Sequence, residues 1–257
     1  MGIKELYSFL EKNVPTCVTQ AKNLQEFSGK TFAIDITIFI VAFTHVSSLI
    51  SIKTNGAVNR GEKFIELFKN QFTVLKENDI RPIYVFDGPP TEIKQKELEK
   101  RKFVGTKTGE SYYCQILKNI FKKYSIDFIV AEHDAEKECA KMCNDGRADF
   151  VVSSDGDALV FGAPEVIINL SVSKTKQKSI KIINSAKILL SLGLTRLQFV
   201  DFCILCGSDY TDKIKGIGPK KALEIIKKYN SLDNWIRQEK TPPVNFNYQQ
   251  AQVYFTE

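Results

Sequence analysis

The sequence predicts an α/β fold with a mostly parallel central sheet flanked by helices. The first observation is a set of short runs rich in β-branched and aromatic residues, at 31–34, 82–86, 128–130, 150–152 and 166–168. None of these runs alternates cleanly between apolar and polar residues, which is typical of strands buried on both faces of a sheet. The second observation is that longer stretches with helical spacing separate the runs, as at 63–77, where Phe64, Phe68 and Leu75 form one stripe. This alternation favours parallel strands covered by helices.

Two further stretches predict special helical elements. The charged stretch 92–103 is followed by a break at 105–109 and by a second helical pattern at 111–123. A charged excursion between two strands is typical of a short helical arch over a site, and an exposed helical hairpin is the alternative. Gly216 and Gly218 precede Pro219, a pattern that predicts a tight turn leading into a new helix.

The composition is that of a soluble chain with a sizeable core. The 257 residues are 43% hydrophobic and carry 36 basic against 30 acidic side chains, which gives a formal charge of +6. The N-terminus lacks the pattern of a secretory signal, and the apolar runs are shorter than a bilayer span requires. Lys and Arg come in bursts, which suits a surface that tracks phosphates, although any single burst also fits a solvated helix face. We therefore expect an intracellular protein without a membrane segment.

Acidic residues follow the predicted strands at their carboxyl ends. They are Asp35, Asp87, Asp134, Glu136, Asp155 and Asp157, and Asp209 stands shortly before the glycine turn. Parallel strands end at one edge of a sheet, so these carboxylates are expected to converge. A single acid after a strand is commonly a cap or turn residue, but acids at successive strand ends favour a metal site. Oxygen ligands without histidine fit Mg²⁺ or Mn²⁺, and the number of acids suggests two ions about 4 Å apart, as in phosphodiester cleavage.

Several short motifs occur in a fixed order along the chain. They are Met1-Gly2-Ile3, Ala33-Ile34-Asp35, Tyr84 to Pro90, Asp134-Ala135-Glu136, Asp155-Gly156-Asp157, and Gly207-Ser208-Asp209-Tyr210 through Lys220. This order resembles the flap endonuclease/XPG family of structure-specific 5′ nucleases, over essentially the whole chain. The resemblance implies a PIN/5′-nuclease-like fold and divalent-metal-dependent hydrolysis of DNA at flaps or junctions, in replication, repair or recombination. It also implies a single nuclease domain over 1–257, with an N-terminal region at 1–105, a short arch or cap segment at 106–133 and an internal region at 134–240.

The same resemblance assigns roles at the site. Asp35, Asp87, Asp134 and Glu136 would serve a first Mg²⁺ ion, and Asp155, Asp157 and Asp209 a second, with Mn²⁺ as a substitute. Lys94 and Arg101 match the family's basic pair. They are seven residues apart, so they share a helix face and would both reach the scissile phosphate. Gly2 matches as well, and the resemblance implies an N-terminus folded near the site.

The glycine turn resembles a helix–hairpin–helix element at about 206–228. Its DNA contacts would come from Gly216, Ile217, Gly218, Lys220 and Lys221. Glycines let the backbone approach phosphates, and amides at the following helix start bind them without reading sequence. Family members often seat a monovalent cation here, but Lys213 stands where Ser is common, so K⁺ binding is left open.

Departures from the family pattern bear on substrate choice. Asp134 replaces the usual Glu and shortens the ligand by one methylene. The segment between Arg101 and Asp134 is shorter than in flap endonucleases, which leaves open a Holliday-junction resolvase-like or 5′→3′ exonuclease activity. A non-catalytic DNA-binding homologue and an RNA-directed ribonuclease are the alternatives from other classes.

The resemblance also frames the expected partners. We expect a monomer, in a compact or viral version of the enzyme, that binds branched or flapped double-stranded DNA. The last helical stretch lacks the spacing of a sliding-clamp peptide. The expected location is the nucleus or a cytoplasmic viral replication site.

Overall fold

The computed structural model describes residue 3 and residues 5–95, 112–170, 179–211, 213–238 and 246–257. Its strands are β1 (Val18–Ala21), β2 (Thr31–Asp35), β3 (Arg81–Phe86), β4 (Phe128–Val130), β5 (Phe150–Val152), β6 (Glu165–Ile167) and β7 (Ile180–Asn184). Its α-helices are α1 (Leu6–Asn13), α2 (Ile36–Lys53), α3 (Arg60–Glu77), α4 (Tyr112–Tyr124), α5 (Ala135–Asn144), α6 (Asp157–Val160), α7 (Ser185–Leu192), α8 (Arg196–Cys206), α9 (Pro219–Tyr229), α10 (Leu232–Gln238) and α11 (Tyr248–Thr256).

The described strands form one seven-stranded sheet in the order β1-β7-β6-β5-β2-β3-β4. The five strands from β6 to β4 run parallel, whereas β7 and β1 extend the sheet at one edge as antiparallel strands. The prediction of a mostly parallel sheet is therefore confirmed. The two antiparallel strands were not predicted from the sequence.

Both faces of the sheet are buried, as the unbroken apolar runs require. Val85 of β3 belongs to the core under α1, α5 and α8, while its neighbours Tyr84 and Phe86 belong to the core under α2, α3 and α4. Successive side chains of a strand point to opposite faces, so one apolar strand supplies two cores. The helices on each face hold the sheet between them and leave its carboxyl edge for the acidic residues.

Helix α2 begins at the sheet edge and is strongly apolar. Its N-cap is Asp35, whose side chain accepts a hydrogen bond of 2.9 Å from the Thr37 amide. By length and composition alone it is the one described helix that could cross a membrane. In this fold Phe39 and Ile40 are buried beside the sheet, and Phe43 contacts Phe64 of α3 at 6.4 Å between ring centroids. The buried face of α2 thus forms part of the core that lies between the sheet and helices α2, α3 and α4.

The predicted helices at 63–77 and 111–123 correspond to α3 and α4. Asn59 caps α3 by accepting hydrogen bonds from two amides of its first turn, which starts the helix at Arg60. Leu117 and Phe121 of α4 are fully buried, and β4 pairs with β3, so both elements belong to the sheet and its core although they fall within the predicted cap segment 106–133. Residues 92–95 are helical, and the remainder of the predicted arch lies outside the described residues. The division of the chain into regions stays a prediction.

Candidate active site

The carboxyl edge of the parallel strands carries the acidic residues that the sequence singled out. Asp35 ends β2, Asp87 follows β3, Asp134 and Glu136 lie at the start of α5 after β4, and Asp155 and Asp157 lie between β5 and α6. Asp209 lies in the turn after α8. Residues that are far apart in the sequence therefore meet because five neighbouring strands run in the same direction.

Asp87, Asp134 and Glu136 form the tightest group among the described residues. One carboxylate oxygen of each lies within 4.8 Å of the other two. Asp87 is oriented by two donors: its Oδ1 accepts a 3.0 Å hydrogen bond from the Ala135 amide, and its Oδ2 accepts one of 3.2 Å from the Thr37 hydroxyl. Asp87, which follows a different strand, therefore satisfies an amide of the first turn of α5.

Asp134 occupies the N-cap position of α5 without capping it. Among the described residues its side chain accepts no hydrogen bond from the helix amides. Instead Oδ1 contacts the Lys94 ammonium and Oδ2 accepts a hydrogen bond from the Tyr254 hydroxyl. The simple explanation of Asp134 as a cap residue is therefore wrong, since its carboxylate turns toward the site.

The β5 side of the site is held by short polar contacts. Ser153 accepts a 3.1 Å hydrogen bond from the Asp155 amide, and its hydroxyl lies 3.4 Å from Oδ2 of Asp35. The Asp157 amide donates to Oδ1 of Asp155 at 3.2 Å. Tyr7 of α1 donates to the Asp155 carbonyl oxygen at 2.7 Å. These contacts connect β2, β5 and α1 around the second group of acids.

The carboxylates repel one another in a buried setting. Burial, followed by the charge of Asp87, raises the pKa of Asp35 to about 7. Burial also raises the pKa of Glu136 well above its ordinary value, with further contributions from Asp35 and Asp87. The pKa of Asp157 is raised in the same way by burial and then by Asp155 and Asp209. Such a set requires bound protons or cations near neutral pH.

The residues present fit divalent cations. Oδ1 of Asp157 is buried and has no hydrogen-bond partner among the described residues. A buried carboxylate oxygen without a donor is costly unless a cation supplies the missing interaction. Because the donors are oxygens alone, hard ions such as Mg²⁺ or Mn²⁺ match the set.

Lys94 lies within the acidic group, and its side chain is 23% exposed. Burial lowers its pKa, but the charges of Asp134 and Glu136 outweigh that effect and leave the pKa raised. Lys94 is therefore a fixed positive charge beside the carboxylates. Arg101 and Gly2, which the sequence also singled out, lie outside the described residues.

The N-terminal segment packs against the Asp155–Asp157 turn. A Cβ built on Gly156 would lie 3.1 Å from Leu6 Cδ2 and 3.5 Å from Ile3 Cβ. Glycine at this position lets α1 approach the turn that carries two acids. The expectation of an N-terminus near the site agrees with this packing of Ile3 and Leu6.

The glycine turn lies between α8 and α9. Gly216 has a φ of +84°, Gly218 is the N-cap of α9, and Pro219 opens that helix. Lys220 and Lys221 are exposed at its first turn. The side chain of Ile217 is buried, and its amide donates to the Ile214 carbonyl oxygen at 3.2 Å. Ile217 therefore shapes the turn, and its contact with DNA stays a prediction.

Sequence reasoning missed the side chains that orient the acids. Thr37 stands two positions after Asp35 and Ser153 two positions before Asp155, so a search for hydroxyls beside the strand-end acids would have found them. Tyr254 gave no such signal, because it reaches Asp134 across 120 residues of sequence.

A mostly parallel sheet with this many acids at the carboxyl ends of its strands, followed by a glycine turn between two helices, defines a class, the nucleases with a PIN-like fold. Residues 1–107 match the XPG N-terminal domain, and residues 125–209 match the XPG I-region. The flap endonuclease 1 of Aedes aegypti is 32% identical over 291 aligned residues, which cover 100% of this chain and 75% of that protein. The chain belongs to the flap endonuclease/XPG family.

Solved structures share the fold at lower sequence identity. The catalytic core of Rad2 in complex with DNA substrate superposes with a TM-score of 0.77 at 21% identity, covering 100% of this chain and 85% of that one. Human GEN1 in complex with Holliday junction DNA superposes with a TM-score of 0.74 at 20% identity, covering 100% of this chain and 66% of that one. At these identities the likeness is one of fold.

Proposed function

We propose that this protein is a structure-specific 5′ nuclease that uses divalent cations to hydrolyse DNA phosphodiester bonds at flaps or junctions. The observation that carries the proposal is the set of strand-end carboxylates, of which Asp35, Asp134 and Asp157 are buried, several have a raised pKa and one has an oxygen that lacks a donor among the described residues. Membership of the flap endonuclease/XPG family and the exposed lysines of the glycine turn support DNA as the substrate.

The proposed ligands fall into two groups on the sheet edge. Asp35, Asp87, Asp134 and Glu136 would hold one Mg²⁺, and Asp155, Asp157 and Asp209 the other, with Mn²⁺ able to substitute. Bound divalent cations would polarise the scissile phosphate and acidify the attacking water.

The chain's own residues would then orient the substrate. Thr37 and the Ala135 amide fix Asp87, and Ser153 holds the loop of Asp155. Lys94, whose ammonium now contacts Asp134, would donate to a non-bridging oxygen of the scissile phosphate. Lys220, Lys221 and the N-terminal amides of α9 would grip a duplex phosphate at a distance from the chemistry.

The test is cleavage of end-labelled 5′-flap, nicked, gapped and four-way DNA, in Mg²⁺ and in chelator. We expect Mg²⁺-dependent cleavage of at least one branched substrate, and a loss of at least about 100-fold in Asp87→Ala and Asp155→Ala. Unchanged rates in both variants would refute the proposed site.

Asp149→Ala is the matched control. Asp149 also adjoins β5, but at the opposite end of the strand, where it accepts hydrogen bonds from Lys30 and the Thr31 amide. Its loss should lower stability without changing cleavage. The four-way substrate separates a resolvase-like preference from flap cleavage, and product lengths separate stepwise exonuclease action from a single endonucleolytic cut. An RNA analogue of the flap tests the ribonuclease alternative.

A further inference from the structure

The C-terminal helix α11 delivers a side chain to the acidic site. The Tyr254 hydroxyl donates to Oδ2 of Asp134 while the Lys94 ammonium contacts Oδ1. Tyr254 is 8% exposed and Asp134 3% exposed. Both oxygens of this carboxylate are therefore engaged by donors from different parts of the chain, and α5 itself supplies neither donor.

The ring of Tyr254 is held from three sides. Its centroid lies 5.0 Å from that of Tyr210 and 5.6 Å from that of Phe161. On the third side the Lys137 ammonium lies 4.3 Å from the ring centroid and donates to the Tyr254 carbonyl oxygen at 3.3 Å. A ring packed in this way gives its hydroxyl little freedom of direction.

A buried carboxylate fixes the helix that carries this ring. Asp201 of α8 accepts hydrogen bonds from the Gln252 side chain of α11 and, at 2.9 Å, from the Leu232 amide at the start of α10. Asp201 is 4% exposed. The position of the Tyr254 hydroxyl is thus set by the core.

Asp134 needs such support more than a longer acid would. Aspartate reaches one methylene less than the glutamate that the family usually has at this position, so a small rotation moves its oxygens away from a shared cation. Carboxylates that bind metals are commonly held by a hydrogen bond to the oxygen that faces away from the ion, and loss of that partner weakens metal binding by about 10- to 100-fold.

We infer that Tyr254 is a positioning residue for the cation site, whose hydroxyl turns Asp134 so that Oδ1 faces the other carboxylates. The inference rests on the proposed function, because it assigns to Asp134 a cation to bind. Lys94 marks the side of Asp134 where positive charge is accepted, and Tyr254 binds the opposite oxygen.

Tyr254→Phe tests the inference, because it removes the hydroxyl and keeps the ring. Titration calorimetry with Mg²⁺ alone, on the full chain without DNA, should show affinity about tenfold weaker than in the wild type. In a cleavage assay the half-saturating Mg²⁺ concentration should rise by a similar factor, while excess Mg²⁺ restores most of the maximal rate.

Tyr248→Phe is the control on the same helix. Tyr248 donates to Oδ1 of Asp233 at 2.8 Å, so this change also removes a tyrosine–aspartate hydrogen bond, but one outside the acidic site. Its Mg²⁺ affinity should equal that of the wild type. Thermal unfolding of both variants shows whether either has lost its fold.

The outcomes separate the two claims. If the wild type binds Mg²⁺ and Tyr254→Phe binds it with the same affinity, the positioning role is overturned and the proposed function still stands. A wild-type chain that neither binds Mg²⁺ nor cleaves DNA in it would overturn both. An equal loss of affinity in both tyrosine variants would trace the effect to the stability of α11 and would also overturn the positioning role.

A double-mutant cycle gives a second check. Asp134→Glu inserts a methylene toward the Tyr254 hydroxyl, so its effect on Mg²⁺ affinity should differ between the wild-type and Tyr254→Phe backgrounds. Equal effects in the two backgrounds would mean that the hydroxyl and the carboxylate act independently, against the inference.

Discussion

Asp35 performs two tasks with one carboxylate. Oδ1 accepts the Thr37 amide and so starts α2, while Oδ2 lies near Ser153 within the acidic group. Burial and the neighbouring Asp87 raise its pKa to about 7. Without a cation, the folded protein therefore holds a proton at Asp35 that the unfolded chain has released.

This difference predicts how the stability of the metal-free protein depends on pH. Because the folded pKa is the higher one, the contribution of Asp35 to stability is fully present below about pH 4 and is lost as the pH rises to about 7. In chelator, the melting temperature should be higher at pH 5 than at pH 8 by roughly 5 °C. Scanning calorimetry in EDTA measures this difference in melting temperature. Saturating Mg²⁺ should restore most of the stability that is lost at pH 8.

Asp35→Asn provides the control for that measurement. The amide carries no titrating charge, so the difference between pH 5 and pH 8 should shrink, and the variant should exceed the wild type in stability in EDTA at pH 8. A wild-type protein that is more stable at pH 8 than at pH 5 in EDTA would contradict the assignment.

At the scale of elements, the turns after β3 and β4 meet through their backbones. The Gly88 amide donates to the His133 carbonyl oxygen at 2.7 Å. A Cβ at Gly88 would lie 2.2 Å from the Ala131 carbonyl oxygen and 2.5 Å from that of Glu132. This close approach holds Asp87 against the start of α5.

Gly88→Ala should force the two turns apart. We expect the free energy of unfolding to fall by about 1–3 kcal/mol, with a weaker affinity for Mg²⁺ because Asp87 leaves its partners. Denaturant unfolding and Mg²⁺ titration measure the two effects. Gly61→Ala is the matched control, since its Cβ would meet only the Asn59 side-chain oxygen, at 3.4 Å, and alanine favours a helix by about 1 kcal/mol. Equal stability of the two variants would contradict this account of the turns.

Helix α11 depends on one buried acid for its attachment. Asp201→Ala leaves the Leu232 amide and the Gln252 side chain without their acceptor, which should lower the free energy of unfolding by about 1–3 kcal/mol. Hydrogen exchange should accelerate first in α10 and α11. Asp233→Ala is the control, because it removes only the acceptor of the Tyr248 hydroxyl, and hydrogen exchange in α10 should stay almost unchanged. A similar acceleration of exchange in both variants would refute the anchoring role of Asp201.

At the scale of the whole molecule, the proposed metal ligands and the proposed duplex-binding lysines lie on different elements, and Lys94 is the lysine that the structure places among the acids. The acids gather at the sheet edge, whereas Lys220 and Lys221 project from α9. A formal charge of +6 is modest, so duplex affinity depends on where the lysines lie.

Lys220→Ala and Lys221→Ala should each weaken duplex binding to a similar extent for all sequences. Each should also reduce the slope of log affinity against log salt by about one. Fluorescence anisotropy in Ca²⁺, over a series of salt concentrations, measures both. Lys30→Ala is the control, because Lys30 pairs with Asp149 at the amino ends of strands β2 and β5, away from the acidic site. Its loss should leave the slope unchanged. A slope that changes equally in all three variants would contradict a phosphate contact at the glycine turn.

The sequence predicted the parallel strands of the sheet better than its two antiparallel strands. β4 and β5 match the predicted runs residue for residue, because both are short, unbroken apolar runs in parallel strands, although β4 is the last strand of the sheet and Val130 is exposed. β1 and β7 were missed because Val18–Ala21 and Ile180–Asn184 mix polar and apolar residues, as partly exposed antiparallel strands do. Strand-end acids could be predicted because chain direction alone brings them together, whereas the contact of Tyr254 with Asp134 depends on how α11 packs.

The strand order has a consequence for how the protein is made. β2 lies between β3 and β5, and β5 is synthesised more than a hundred residues after β2. A nascent chain therefore waits on the order of ten seconds on the ribosome before β2 gains its second neighbour. Until then Asp155 and Asp157 do not exist beside Asp35. An interrupted chain that ends before β5 would lack Asp155, Asp157 and Asp209 and also the lysines at the start of α9, so the acidic centre and the proposed duplex contact are both completed only by the second half of the chain.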